Sequence, residues 1–405
     1  LKRVRANKGS PGVDGMTVDD LPKHLKQAWP AIKAALEEGR YLPQPIRRVE
    51  IPKPDGGMRQ LGIPTALDRL IQQAILQVLD PIFDPTFSPG SYGFRPGKSA
   101  HQALETARKH VASGYGWVVD MDLEKFFDRV NHDKLMGRVG KRVGEKHLLT
   151  LIRRYLEAGL LLDGVVVTRH EGTPQGGPLS PLLANILLDD LDKILERRGL
   201  RFCRYADDCN IYVKSERAGK RVMRSLTALL ERRLHLKVNA GKSAVARPWE
   251  RKFLGQRVLG NGEKAFLGIH PKSIERFKDK VRQITRRTRG VKFDQVLTEL
   301  RTAAMGWVNY HRHTRCAKHL QRLDEWIRRR LRCYLWKQWK RPIARARNLR
   351  RLGIGRWLAY GAAYNGHGAW TIAGCPAMTQ AITNQYLKDK GFESLYERYI
   401  ALVSA

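Results

Sequence analysis

The sequence predicts an α+β protein in which antiparallel hairpins alternate with helices, followed by a basic helical region and a small C-terminal helical module. Segments 46–63 and 202–213 each contain two apolar strands around a turn rich in Gly or Asp, which is the pattern of a β-hairpin. Apolar and acidic residues alternate from 117 to 122 with the period of a strand. After residue 270, apolar residues recur at helical spacing among many basic ones.

Net charge restricts the possible partners most strongly. The 405 residues include 75 Lys and Arg against 39 Asp and Glu, which gives a formal net charge of +36. Such an excess predicts a polyanionic partner. No apolar run approaches the roughly 20 residues of a membrane span, so nucleic acid is favoured over a membrane. A chain of this length exceeds one hydrophobic core and is expected to fold as several subdomains.

The cysteines favour a reducing compartment. They are odd in number, form no C-x-x-C pair and have no spacing to histidines that suits zinc; they are Cys203, Cys209, Cys316, Cys333 and Cys375. The pattern also weighs against an appended zinc-type nuclease.

The elements can be placed in order along the chain. Residues 1–45 begin with a turn-rich stretch at 7–15 and continue as a helix. The hairpin of 46–63 is followed by a buried helix from about 71 to 82. After the acidic strand, a further helix is expected toward Val130. A lead-in segment and a mixed domain are therefore predicted.

The composition changes in the C-terminal third. Between Pro271 and Arg351 there are 25 Lys and Arg against 6 Asp and Glu, in helical periodicity. This pattern predicts a separate basic helical domain over 263–352. The tail, 353–405, is less basic, begins at a Gly-rich break and ends in a helical pattern. It predicts a small terminal module.

Three aspartates are candidates for chemistry. Asp122 lies on the acidic strand, and Asp207 and Asp208 lie at the tip of the second hairpin. If the two strands are neighbours, about 4.8 Å apart, these carboxylates form a cluster. Clustered oxygen ligands suit two Mg²⁺ ions, which activate a hydroxyl and neutralise a triphosphate in nucleotidyl transfer. An Asp-Asp turn by itself is common, because Asp favours turns.

The surroundings of these aspartates resemble a known family. Tyr205-Ala206-Asp207-Asp208 between apolar strands, preceded by an acidic strand with Phe126 and Phe127 after it, is similar to the palm of reverse transcriptases. Further segments resemble the group II intron branch of that family, in particular class C, which lacks an endonuclease domain; they are 61–64, 92–96, 131–132, 172–181, 306–307 and 326–332.

The resemblance implies a right-hand polymerase fold. Fingers and palm, with an antiparallel palm sheet plus helices, would span 46–262 after an N-terminal extension over 1–45. A thumb, the maturase X domain, would span 263–352, and a C-terminal DNA-binding-like module 353–405.

The resemblance also implies a catalytic set. The metal ligands would be Asp122, Asp207 and Asp208 with the backbone carbonyl of Leu123, holding two Mg²⁺ ions for which Mn²⁺ can substitute. Asp120 stays outside this set, with an electrostatic role on the same strand face.

Five residues are expected to contact the incoming nucleotide. Lys53 and Arg59 flank the first hairpin, where two cations can close over a triphosphate. Phe127 occupies the position at which the family excludes a 2′-hydroxyl, and Gln175 lies in its Pro-Gln-Gly motif. Lys242 lies in the motif that supplies a proton to pyrophosphate. Each also has a simple structural interpretation, as a solvated charge or a packing residue.

Nucleic-acid contacts are expected in two further places. The turn of Phe253, Leu254 and Gly255 resembles the one that supports the primer end. In the basic domain, arginines flank an apolar stripe of Ile327, Leu331 and Leu335 and are expected to remain free to contact a nucleic-acid backbone; they are Arg328, Arg329, Arg330 and Arg332.

The favoured function is an RNA-directed DNA polymerase that also binds its own group II intron RNA, assists splicing and supports intron mobility. Its expected partners are an RNA template and DNA primer, dNTPs, the intron RNA and target DNA, in the bacterial cytoplasm near the nucleoid. The alternatives are a splicing-only maturase, a reverse transcriptase recruited by the host for DNA repair or phage defence, and an RNA-copying polymerase, which would place Gly before the Asp pair instead of Ala206. The oligomeric state stays open.

Overall fold

A computed structural model describes residues 1–52, 56–162, 165–167 and 171–404. The chain divides into two compact units: unit 1 contains Leu1–Leu254 and Val258–Ala265, and unit 2 contains Gly255–Arg257 and the residues from Phe266 onward. Within the described ranges, no helix is both long and apolar enough to cross a membrane.

Unit 1 mixes helices and strands. Its elements are α1 Lys2–Ala6, α2 Leu21–Glu37, β1 Ile46–Pro52, β2 Met58–Ile63, α3 Ala66–Phe83, α4 Ala100–Ala112, β3 Trp117–Met121, α5 His132–Val139, α6 Lys146–Glu157, β4 Leu160–Leu162, β5 Val165–Val167, α7 Ser180–Arg197, β6 Arg201–Tyr205, β7 Asp208–Val213, α8 Glu216–Leu229 and β8 Ala244–Ala246. Strand β9, Gln256–Leu259, crosses the boundary between the units.

Unit 2 is mainly helical. Its remaining elements are β10 Phe266–Ile269, α9 Pro271–Ile284, α10 Phe293–His311, α11 Ala317–Gln338, α12 Pro342–Arg351, α13 Arg356–Ala363, α14 Ala369–Ile372, α15 Pro376–Ala381, α16 Asn384–Asp389 and α17 Leu395–Val403.

The sheets confirm both predicted hairpins. Strands β1 and β2 pair antiparallel in a sheet of order β2-β1-β4-β5. The second hairpin, β6 and β7, belongs to a sheet of order β6-β7-β3-β8, so the acidic strand β3 lies directly beside β7. Apolar residues of this sheet and of α3, α5, α6 and α7 form one core, which fixes the sheet in place.

Side-chain caps fix where several helices begin. The Thr65 hydroxyl accepts a hydrogen bond from the N–H of Asp68 at the start of α3, and Ser99 and Gln102 form a reciprocal capping box at the start of α4. Such caps satisfy N–H groups that a helix cannot bond internally. These helix starts are therefore encoded locally.

The helix predicted after the acidic strand is wrong. Lys125 has a left-handed backbone with φ of 48°, and only one 3₁₀ turn, Phe126–Asp128, follows it. The α-helical backbone begins again at His132, where the Asn131 side chain caps α5. A left-handed residue interrupts a helix because its carbonyl leaves the helical direction.

The predicted terminal module over 353–405 has no separate core. One hydrophobic cluster in unit 2 contains buried residues from Ile269 through Tyr399. The Asp324 carboxylate of α11 accepts hydrogen bonds from the Ser394 hydroxyl at 2.6 Å and from the N–H of Leu395 at 2.9 Å, at the start of α17. The tail therefore packs with the basic helices as one body.

Candidate active site

The sheet register brings the candidate aspartates to one edge. Met121 of β3 pairs with Cys209 of β7, and the next step of the same register places Asp122 opposite Asp208. Tyr205 pairs with Asp208 across the hairpin, which leaves Ala206 and Asp207 as its tip. The arrangement predicted from sequence, with Asp122 beside the paired aspartates, is present.

The backbone around Asp122 is held on one side. The carbonyl of Asp122 and the N–H of Glu124 are hydrogen-bonded to the segment 237–239 at 2.9 and 2.8 Å, and the Asp122 N–H donates to the Ser243 hydroxyl at 3.0 Å. Leu123 lies between these bonds in a bridge to that segment. In such a non-hydrogen-bonded pair the middle residue directs its own N–H and C=O away from the partner strand. The Leu123 carbonyl therefore faces the β7 side, where Asp208 lies.

The carboxylates of this edge repel one another. The pKa of Asp208 is raised to about 7, first by desolvation in the cleft and then by the charges of Asp207, Asp120 and Asp122. The pKa of Asp207 is also raised, by burial and by Asp122. A cation bound among these groups would relieve the repulsion.

The donor set fits a hard divalent cation. Carboxylate and backbone carbonyl oxygens are the ligands that Mg²⁺ prefers, and Asp122, Asp207, Asp208 and the Leu123 carbonyl supply only oxygen. In the described part of the chain no three His, Cys, Asp or Glu side chains already surround one point closely enough to hold a metal. The fit therefore rests on the chemistry of the donors and on their register.

Asp120 has a different partner. Its carboxylate forms an ion pair with Arg251, with the guanidinium Nε donating at 2.7 Å. Arg251 also donates to the backbone carbonyl of Lys242. Through Arg251, Asp120 therefore ties the loop of Lys242 to the sheet.

A buried arginine beneath the tip was missed by the sequence reasoning. Arg204 is fully buried and donates to both carboxylate oxygens of Asp192, at 2.8 and 2.6 Å. It also donates to Ser91, to Asn185 and, at 2.9 Å, to the backbone carbonyl of Ala206. The guanidinium thus holds the hairpin tip directly. A charged residue inside the apolar strand 202–205 was the available signal.

Backbone hydrogen bonds join Phe127 to the Gly/Pro loop, which is the segment 172–181 that contains Gln175. Phe127 is half-buried against Phe126, with ring centroids 5.2 Å apart, and its carbonyl accepts from the Thr173 N–H at 2.6 Å. The carbonyl of Gln175 accepts from the N–H of Gly62 on β2 at 2.8 Å. The structure therefore places the loop between Phe127 and the first hairpin.

Of the three basic residues predicted to contact the nucleotide, the structure describes two, Arg59 and Lys242. Arg59 is exposed on β2, and its charge opposes part of the rise in the pKa of Asp207 that burial and Asp122 cause. Lys53 lies outside the described residues. Lys242 is exposed on the loop that Arg251 holds. Arg59 is thus brought to the acidic edge by the hairpin.

The predicted primer-end turn has an unusual backbone. Phe253 is buried, and the next two residues, Leu254 and Gly255, are left-handed with φ of 48° and 79°. Two consecutive left-handed residues make a sharp turn, which glycine tolerates and leucine adopts only under constraint. The Gly255 carbonyl accepts from the Ser273 hydroxyl at 2.7 Å.

The expectation that the α11 arginines remain free is wrong for three of the four. Arg329 donates to the carbonyl of Trp370 and lies over its ring at 4.5 Å. Arg330 donates to the hydroxyl of Thr285, the residue after α9. Arg332 donates to the backbone carbonyl of Ile382, the residue after α15. Arg328 is half-buried near Asp324. Arg329 and Arg332 are engaged because helices after residue 353 pack on α11, whereas Arg330 is engaged by the end of α9.

Comparison with known proteins identifies the family. Residues 51–258, half of the chain, match the family model described as reverse transcriptase (RNA-dependent DNA polymerase). The chain belongs to the reverse transcriptase family. Residues 274–353 match the group II intron, maturase-specific domain. The two matches together make it a reverse transcriptase of the group II intron type, a class that uses divalent metal ions and binds RNA and DNA. The predicted thumb over 263–352 contains nearly all of the second match.

Individual proteins are similar to parts of this chain. Protein YkfC of Escherichia coli K12 is 33% identical over 289 residues, which cover 62% of this chain and 76% of that protein. The group II intron-encoded protein LtrA of Lactococcus lactis is 38% identical over 204 residues, which cover 50% of this chain but only 34% of LtrA. Among solved structures, a chain of a partial Cas6-RT-Cas1–Cas2 complex is 31% identical, covering 52% of this chain and 38% of that chain, with a TM-score of 0.34.

Proposed function

We propose that this reverse transcriptase extends a DNA primer on an RNA template at the edge formed by Asp122, Asp207 and Asp208, and that it also binds its own intron RNA and assists splicing. The observation that carries the proposal is the register of β3 and β7, which places Asp122 opposite Asp208 at the hairpin tip. The mutual repulsion of these carboxylates supports a site built for cations.

Two divalent ions, Mg²⁺ with Mn²⁺ as a substitute, would be held by the three carboxylates and the Leu123 carbonyl and would supply activation of the primer hydroxyl and charge neutralisation at the triphosphate. Arg204 holds the hairpin tip through the Ala206 carbonyl, so the acidic side chains are positioned before substrate arrives. Arg59, beside Asp207, contacts the triphosphate as the nucleotide enters.

Phe127 is proposed to select dNTPs. The ring is half-buried against Phe126, and its backbone is fixed to the Gly/Pro loop at Thr173. A ring held in this way resists displacement by an additional hydroxyl. Gln175, whose backbone is hydrogen-bonded to Gly62, lies in the same loop and is proposed to contact the template and the nucleotide. Lys242 is proposed to protonate pyrophosphate, and the turn at 253–255 to support the primer end.

Unit 2 is proposed to bind the intron RNA and the target DNA. Its match to the maturase-specific domain and its excess of 25 basic over 6 acidic residues between Pro271 and Arg351 support a polyanionic ligand. Binding to target DNA would associate the protein with the nucleoid. The intact carboxylate set favours a polymerase over a splicing-only maturase.

Primer extension on an RNA template with dNTPs and Mg²⁺ tests the polymerase proposal. We expect Asp207→Asn to abolish incorporation and to leave RNA affinity nearly unchanged, since one charge is altered in a chain of net charge +36. Asp190→Asn, an exposed carboxylate on α7, is the matched control and should extend normally. Retained incorporation in Asp207→Asn would refute the metal assignment.

A splicing assay with the flanking intron RNA tests the second activity separately. Asp207→Asn should still promote splicing, because RNA binding does not use the carboxylates. Loss of splicing in this variant, with its fold intact, would contradict the proposal that unit 1 polymerises and unit 2 binds the intron RNA.

A further inference from the structure

Helix α13 exposes its large apolar side chains instead of burying them. It buries only alanines, Ala359, Ala362 and Ala363. The large apolar side chains of the helix and of its C-terminal cap are exposed; they are Trp357 at 91%, Leu358 at 41%, Tyr360 at 37% and Tyr364 at 60%. Burying one large apolar side chain contributes about 1.5–3 kcal/mol, so packing alone would favour the opposite orientation. An exposed aromatic surface of this kind indicates a ligand.

The exposed aromatic residues share one face. Trp357, Tyr360 and Tyr364 are spaced three and four residues apart, which aligns them along a helix. The rings of Tyr360 and Tyr364 are parallel to within 5°, with centroids 6.2 Å apart. Gly361 lies between them, and no atom lies within 4 Å of the position that a Cβ would occupy there. The three rings form an open surface, here called the aromatic face.

The segment that contains the aromatic face carries only positive charges. The 63 residues from 326 to 388 contain no Asp or Glu and 13 Lys and Arg. Helix α12 packs directly against α13 and exposes Arg347, Arg350 and Arg351, and Arg356 at the start of α13 is exposed as well. An apolar protein partner has no need of this charge, whereas a phosphodiester backbone is attracted to it.

We propose that the aromatic face binds the unpaired bases of a single-stranded nucleic acid by stacking, while the exposed arginines of α12 contact its phosphates. Every base has a flat face that stacks on Trp or Tyr, so the site would tolerate different sequences. A duplex would not use the face, because its bases are already stacked on one another. This proposal adds to the proposed function a place outside the catalytic edge that holds unpaired strand, and it needs no polymerase activity.

Replacing Trp357 in three ways separates stacking from simple apolar contact. The probes are 12-nucleotide oligo(dT), oligo(U) and a blunt DNA duplex, each labelled and titrated with the full-length chain by fluorescence anisotropy. We expect Trp357→Ala and Trp357→Leu to weaken single-strand binding by about tenfold, since one stacked base is worth about 1–3 kcal/mol. Trp357→Phe should stay within about threefold of the original, because it keeps a ring. Duplex affinity should not change.

The result that overturns the proposal is Trp357→Leu binding as tightly as the original protein, because leucine keeps apolar area without a π-face. An equal loss of duplex affinity in Trp357→Leu would overturn it too. Trp29→Ala, the same truncation at a tryptophan of unit 1 that is 43% exposed, is the matched control and should bind normally. The oligo(dT) and oligo(U) arms show whether the face holds DNA or RNA.

Salt dependence tests the second half of the proposal. Arg347→Gln should reduce the slope of log affinity against log salt by about 0.7 for a single strand, whereas Trp357→Leu should lower affinity at every salt concentration without changing the slope. Equal slopes in the original and Arg347→Gln would refute the phosphate contact. Primer extension on a short annealed duplex should be unchanged in Trp357→Leu, so failure here is distinguishable from failure of the polymerase assignment.

Discussion

Replacing Asp192 by asparagine should destabilise unit 1 strongly. Asp192 and Arg204 are both fully buried, and the carboxylate accepts two hydrogen bonds from the guanidinium. Asp192→Asn keeps the shape but leaves the buried positive charge without its counter-charge. Removing one partner of a buried ion pair costs about 3–5 kcal/mol, a large part of the roughly 5–15 kcal/mol that stabilises a domain.

The melting temperature is the simplest measure of this change. At about 2–4 °C for each kcal/mol in a domain of this size, Asp192→Asn should lower the Tm of unit 1 by about 6–20 °C. Asp190→Asn is the matched control on the same helix, because its carboxylate pairs with Arg138 and is 44% exposed. Exposed pairs contribute about 0–1 kcal/mol. Equal shifts in the two variants would refute the reasoning.

The same network should affect catalysis through the hairpin tip. Arg204→Lys keeps the charge opposite Asp192 but cannot reproduce the fork that reaches Asn185, Ser91 and the Ala206 carbonyl. We expect kcat for dNTP incorporation to fall by about tenfold or more, since a small misplacement of reacting groups costs up to about 10²-fold. The assay is run at a temperature where circular dichroism shows the variant folded. An unchanged kcat would show that the network supports only the fold.

Three further predictions concern the site and the charge. Phe127→Ala should increase rNTP use relative to dNTP use in single-nucleotide incorporation, and an unchanged ratio would mean that another residue excludes the 2′-hydroxyl. Gly93→Ala would place a Cβ 2.3 Å from the Ala206 nitrogen and should reduce incorporation at least tenfold, whereas Gly137→Ala, with no atom within 4 Å, should be neutral or slightly stabilising. RNA–DNA duplex affinity should fall with salt at a log–log slope near −9 if about ten phosphates are neutralised, and a flat dependence would contradict a basic groove.

The strands of the site could be predicted because their signal is local. Alternation from 117 to 122 and the turn of Ala206 to Asp208 define strand ends without reference to other parts of the chain. Helix periodicity failed after Asp122, because the left-handed Lys125 limits the following segment to one 3₁₀ turn. The periodicity of apolar residues does not indicate the backbone angle φ of a single residue.

Partners of charged and aromatic side chains could not be predicted in the same way. Arg329 lies in the basic helical region and Trp370 in the tail, and their contact depends on how α14 packs on α11. The aromatic residues of α13 have the spacing of a buried face, and the structure exposes them instead. Burial is decided by which neighbour covers a face, and periodicity identifies only that a face exists.

The sequence by itself determined the charge of +36, the strand and hairpin that carry the acidic residues, and the motifs that identify the family. Only the tertiary structure decided that β3 lies beside β7, that Arg204 holds the tip through Asp192, and that α13 displays its aromatic face. The physical reason is the sequence separation of the interacting residues. Turns, caps and periodicity depend on residues a few positions apart, whereas Asp122 and Asp208 become neighbours only when the core between them has packed.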